Sequence, residues 1–220
     1  MKKKNTKVTK IIDNKSREDV FTIKELALIN SLNSPFKIQE FINTLIYNEG
    51  KRISVVDVMR LKKGDCLEAA CFAYFVLQKH KIESFLMDLS ASRDEDHVIC
   101  VFKINGLCGA IAQSKFLGLR YRQPVYKDFR ELAMSYFDNY FSFQGYFSLR
   151  SYSIMPMTIK NDWVFDFREI VKIENKFSDL EHINLFPKNM VLAITPASLE
   201  KFKREIIILP KYASIHKRYK

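Results

Sequence analysis

The 220-residue chain changes its hydrophobic rhythm near residue 80. Before that point apolar positions recur at three- and four-residue steps, the period of amphipathic helices. "REDVFTIKELALINSL" predicts a helix over about 18–32. Ser34-Pro35 reads as a cap followed by proline in the first helical position, and "FKIQEFINTLIYNEG" carries the helix to a C-cap at Gly50. Ser54 caps a short helix, "VVDVMRLK". Leu67, Ala70, Cys71, Tyr74, Phe75 and Leu77 predict one buried helix from Leu67 to Lys79.

Beyond it the period becomes two, the signature of strands. "IESFLMDLS" (82–90), "HVICVFKI" (97–104) and "LCGAIAQS" (107–114) are the expected strands. "SRDEDH" joins the first two, and Asn105-Gly106, a strong hairpin signal, joins the second and third. "YKDFRELAMSYFDNYF" (126–141) predicts another amphipathic helix, and "FSLRSYSIMP" and "DWVFDF" predict strands. Residues 172–187 read as irregular. "MVLAIT" (190–195) is expected as a last strand, and "ASLEKFKREIIIL" after Pro196 as a last helix. The fold class is therefore α+β, with N-terminal helices and a central cysteine-bearing helix packed on an antiparallel sheet.

Composition supports a packed chain: 47% hydrophobic, 13% aromatic, only 6 Gly and 6 Pro. The net charge of +11 suggests a nucleic-acid binder until it is located. Lys2, Lys3, Lys4, Lys7, Lys10, Lys211, Lys217, Arg218 and Lys220 supply nine of those charges, so residues 11–210 carry only +2. The expected organisation is a basic flexible arm (1–17), one α+β domain (18–210) and a basic tail (211–220). The ends are read as solvated tails, with contact to nucleic acid or an anionic surface as the alternative. No apolar segment follows the first lysines as a signal peptide would, and no run reaches membrane-spanning length, so a cytoplasmic chain with reduced thiols is expected. Signal-less secretion would leave no trace in this pattern.

Candidate chemistry centres on "LKKGDCLEAACFAYFV", residues 61–76. Gly64 and Asp65 turn the chain into a helix at Cys66. A helix start supplies unpaired N–H groups and about half a positive charge, which favour the nucleophilic thiolate and an oxyanion. A partner base must then come from four histidines. His80 lies at the far end of the same helix, roughly 20 Å away; His182 and His216 fall in an irregular region and a tail. His97 opens a strand after an acidic loop and can face the sulfur if that strand packs on the helix. Cys71, Cys100 and Cys108 read as core residues. No CxxC or HxxH spacing suggests a metal, His97 and Cys100 would point to opposite faces of a strand, and no cofactor is expected.

"KKGDCLEAACFAYFVLQKHKIESFLMDLS" followed by "DEDHVICVFKINGLCGAIAQS" resembles the core of the transglutaminase-like superfamily, a group related in fold to papain-like cysteine peptidases. The resemblance covers about residues 50–115 and rests on Gly64, Asp65 and Cys66 opening a helix, with Ala69 and Ala70 after them, and on Asp96-His97 opening the second strand that follows. It implies Cys66 as nucleophile and His97 as acid and base in acyl transfer from an amide or peptide bond, with a protein, peptide or small amide as substrate. It also implies a carboxylate or amide orienting the imidazole from the next strand. There the chain departs from the pattern, because Ala112 occupies that place, with Gln113 and Ser114 beside it. A Cys–His pair can work without the third member. The alternative is a catalytically weak or inactive fold of this kind used for binding. Arg120, Tyr121, Arg122 and Tyr126 are read either as lining a cleft for a carboxylate-bearing substrate or as solvated residues before a surface helix.

Overall fold

The computed structural model describes residues 21–142, 144–155, 157, 163–187 and 190. The basic arm, the basic tail, the strand expected at 190–195 apart from Met190, and the helix expected after Pro196 lie outside the described residues. Three short helices come first: α1 (Ile23–Ser31), α2 (Pro35–Asn43) and α3 (Val55–Leu61). Each starts at a hydroxyl residue, Thr22, Ser34 or Ser54, whose side chain accepts a hydrogen bond from an N–H of the first turn. Helix α2 ends at Asn43, well before Gly50. The Thr44 hydroxyl bonds back to the Phe41 carbonyl, and Ile46 leaves to form a bridge with Lys63.

Helix α4 (Cys66–Lys79) lies across a six-stranded sheet ordered β4-β3-β2-β1-β5-β6, whose pairings are all antiparallel. The strands are β1 (Ser84–Ala91), β2 (His97–Ile104), β3 (Leu107–Ile111), β4 (Arg122–Tyr126), β5 (Leu149–Met155) and β6 (Ile183–Asn184). Asn105 and Gly106 both take positive φ, 52° and 80°, as a tight turn between β2 and β3 requires. The segment 126–141 contains only α5 (Phe129–Met134) and one 3₁₀ turn, preceded by the unforeseen edge strand β4. "DWVFDF" is a 3₁₀ turn at Trp163–Phe165, not a strand, and α6 (Phe167–Asp179) runs into the segment 172–187 read as irregular, which also holds the short strand Ile183–Asn184.

Both faces of the central strands are covered, so β2 reads as a nearly continuous apolar run. Val98, Cys100 and Phe102 face α4 and join a core with Ile38, Ile42, Val58, Phe72 and Val76. Ile99 and Val101 face α5 and join Leu89, Ala110, Leu132 and Tyr136. Gly109 lies between these strands because space forbids more: a Cβ there would fall 2.5 Å from Phe102 Cζ. No helix among the described residues is long and apolar enough to cross a membrane.

The start of α4 is tied down more heavily than its other end. The Asp65 side chain caps the Glu68 N–H at 2.9 Å, while the Glu68 carboxylate takes the Asp65 N–H at 3.0 Å. Glu68 is fully buried, and it also accepts from the Asn48 amide and the Ile53 N–H, each at 2.9 Å. One carboxylate thus satisfies donors from three residues, Asn48, Ile53 and Asp65. Glu68→Ala removes that acceptor and strands the donors in a buried site, which should cost about 3 kcal/mol or more. Urea unfolding should show a smaller loss for Glu68→Gln, which keeps one acceptor oxygen. A loss below about 1 kcal/mol for alanine would show that the start of α4 is held by other means.

Candidate active site

Cys66 is the first residue of α4 and is partly exposed, whereas Cys71, Cys100 and Cys108 are buried. Cys66 lines a cavity of about 270 Å³. Two donors hold its sulfur: the Val98 backbone N–H at the head of β2 and the Tyr47 hydroxyl. Burial, and then the Asp65 carboxylate beside it, push the thiol up to about 12, against the Val98 and Tyr47 bonds and the Arg52 charge, which favour the thiolate. The expectation of a thiolate made ready by position is therefore corrected. The residue that caps the helix brings a negative charge to the sulfur and opposes the helix end. Arg52 offsets part of it, bonding Asp65 on one side and Glu174 of α6 on the other.

His97 stands one residue before Val98, so the backbone at the head of β2 joins imidazole and sulfur. Its ring does not lie among the groups lining the cavity. It follows Ile99 and Val101 toward the α5 side, edge-on to Tyr136 with ring centroids 6.4 Å apart. Nε2 is 2.8 Å from the Leu119 carbonyl oxygen. A carbonyl only accepts, which assigns the ring proton to Nε2 and leaves Nδ1 with its lone pair. Burial first, and then the Arg120 and Arg122 charges, hold the imidazole down at about 4 against the Leu119 bond, so it is neutral at neutral pH. The unfolded chain takes up this proton near 6.5, so His97 opposes folding increasingly as pH falls from there toward 4.

The residues weighed as a third member hold other partners. Ala112 is buried, its backbone bracketed by the Gln39 amide at 3.0 and 2.9 Å. Gln113 donates to the Leu45 carbonyl and the Ser114 hydroxyl accepts the Phe116 N–H. The Leu119 carbonyl occupies the orienting position instead, which no side-chain pattern can announce. The arginines are not a substrate clamp either. Arg120 bonds the Ser114 carbonyl and Asn43; Arg122 bonds Gly118 and Ser135 and lies over the Tyr136 ring.

The cavity holds groups that the sequence did not single out. Asp88 of β1 pairs in register with Val98, faces α4, and lines the cavity with Asp96. His182, which follows α6, lines it as well; its Nε2 is 3.1 Å from Asp88 Oδ2 and its Nδ1 3.1 Å from the Leu180 carbonyl. Both ring nitrogens thus have partners within the protein. Burial raises Asp88 to about 6 against the His182 bond. The acidic loop before β2 is fixed: Asp96 takes the Ala91 N–H at 2.7 Å, Asp94 the Ser148 hydroxyl at 2.6 Å, and the Tyr140 hydroxyl donates to the Glu95 carbonyl at 2.7 Å.

The sulfur's electrostatics can be read by alkylation. Asp65→Asn keeps a helix cap and removes the anion, so it should lower the Cys66 pKa and speed iodoacetamide labelling at pH 7.5 by about tenfold or more. An unchanged rate would show that the carboxylate does not govern the thiol. In comparisons with known proteins, no family model matches the chain and no curated protein matches it.

Proposed function

We propose that the chain is a transglutaminase-like cysteine hydrolase or acyltransferase acting on amide or peptide bonds through Cys66 and His97. The support is Cys66, bonded by the Val98 N–H and the Tyr47 hydroxyl and lining a cavity, with His97 the residue before Val98 and its ring proton on Nε2. In this reading His97 takes the thiol proton as the sulfur attacks the substrate carbonyl, which requires the ring to reach the sulfur from the α5 side of β2, away from the residues that line the cavity. The resulting oxyanion is met by first-turn N–H groups of α4, which have no carbonyl partner within the helix. The imidazolium then gives its proton to the leaving amine, and a thioester remains. Water or a second amine takes the acyl group and restores the thiol. The resting pair is neutral, so proton transfer accompanies attack rather than preceding it.

The second reading is a binding module on the same fold. The raised thiol pKa and the absence of a carboxylate at Ala112 favour it. p-Nitrophenyl acetate separates the two. The enzyme reading expects an acetyl adduct on Cys66 by mass spectrometry, followed by its release. Cys66→Ala should abolish the adduct, and His97→Ala should slow its formation by about 100-fold. Equal acetylation rates in wild type and His97→Ala would favour the binding module.

A further inference from the structure

We infer that His182, braced by Asp88, is a second acid–base group of the Cys66 cavity and supplies the proton that the leaving amine takes. The inference rests on the reading of Cys66 as nucleophile and His97 as base toward its thiol, and it moves one proton from His97 to His182. Cys66, Asp88 and His182 line one cavity, whereas the His97 ring packs beside Tyr136 on the α5 side of the sheet. An amine released beside the sulfur therefore departs on the His182 side, while the thiol proton is held on the other.

The fold assembles the pair from distant parts of the chain. Asp88 of β1 is only 4% exposed. His182 lies between α6 and β6, and the pairing of Ile183 with Tyr152 brings it level with Ser153 of β5, itself in register with Asp88. That small side chain leaves the ring room to reach across β5, where Nε2 lies 3.1 Å from Asp88 Oδ2. Nδ1 is 3.1 Å from the Leu180 carbonyl oxygen, which only accepts, so Nδ1 carries a proton. The Nε2 contact with Oδ2 then requires a second proton, on one atom or the other. Burial raises the Asp88 carboxyl to about 6, close to an ordinary imidazole, which suits two groups that share a proton. The other charged groups of the cavity are committed elsewhere. Arg52 does not deprotonate, its bond holds the Glu174 carboxyl below the usual range, and Asp96 accepts the Ala91 N–H.

The protons balance without a further reactant. As the C–S bond forms and the C–N bond breaks, the leaving nitrogen replaces the Leu180 carbonyl at Nδ1 and takes its proton. The shared proton settles on Nε2 beside the Asp88 carboxylate. Nδ1 now has a lone pair, and it takes a proton from the water or amine that attacks the thioester. His97 keeps the thiol proton meanwhile and returns it to the sulfur as the acyl group departs.

The leaving group of an ester probe reads this donor. Cys66 would be acetylated at pH 7.5 with p-nitrophenyl acetate, whose phenolate leaves without a proton, and with phenyl acetate, whose poorer phenolate gains from one. Mass spectrometry follows the adduct on Cys66. His182→Gln keeps an amide N–H for Asp88 but has no proton to give, so it should lose about tenfold more rate on phenyl acetate than on p-nitrophenyl acetate. Asp88→Asn should show the same selective loss, and the two changes together should cost no more than one, as for groups that act as a unit. No loss, or an equal loss on both esters in each variant, would overturn the inference while leaving Cys66 a nucleophile. No Cys66 adduct in wild type with either ester would instead overturn the nucleophile reading on which it rests.

Discussion

The buried carboxylate of Glu68 is the constraint on which the site depends. It takes the Asp65 N–H and so closes the cap of α4, and it binds Asn48 and Ile53 of the segment that leads into α3. Burial raises its pKa, with Asp65 adding to the effect, while its hydrogen bonds pull the other way. An ionised carboxylate is tolerated in such a place only when its lone pairs are used, and here four donor contacts use them. The geometry of Cys66 follows: with the cap fixed, the first residue of α4 is presented to the head of β2. Asp65 extends the constraint outward through Arg52 to Glu174, which ties α6, and with it the wall that carries His182, to the same point.

The same cap sets a tension in the chemistry. Asp65 fixes the helix start that would favour a thiolate, and its charge disfavours one. Burial acts in the same direction as Asp65 on the thiol and, for a base, keeps His97 neutral. Sulfur and imidazole therefore each rest uncharged. The imidazole is oriented by a backbone carbonyl, which fixes the tautomer as a carboxylate would but adds no charge to stabilise an imidazolium. Proton transfer in such a site depends on substrate binding to expel water and bring charge.

Much of the scaffold was legible because local rules and tertiary packing agree there. Cys66–Lys79, His97–Ile104 and the Asn105-Gly106 turn lie where periodicity and turn chemistry put them. Helix α6 was missed because only Ile170 and Phe177 on its face are fully buried and Lys and Glu fill the rest. Helix α2 was drawn too long because the Ile46 bridge to Lys63, a tertiary contact, ends it, and no local residue type does. At the site the sequence could name Cys66 and His97. It could not name Leu119, whose contribution is a carbonyl oxygen that every residue possesses. Nor could it foresee Asp88 and His182 meeting across 94 positions of chain.

The protonation state of His97 is where the account is most exposed. Nitrogen-15 NMR of the labelled imidazole, followed from pH 8 to pH 4, reads it directly. The account predicts a neutral ring at pH 7 with the proton on Nε2 and a lone pair on Nδ1, titrating only near 4. A proton on Nδ1, or an imidazolium at pH 7, would contradict it.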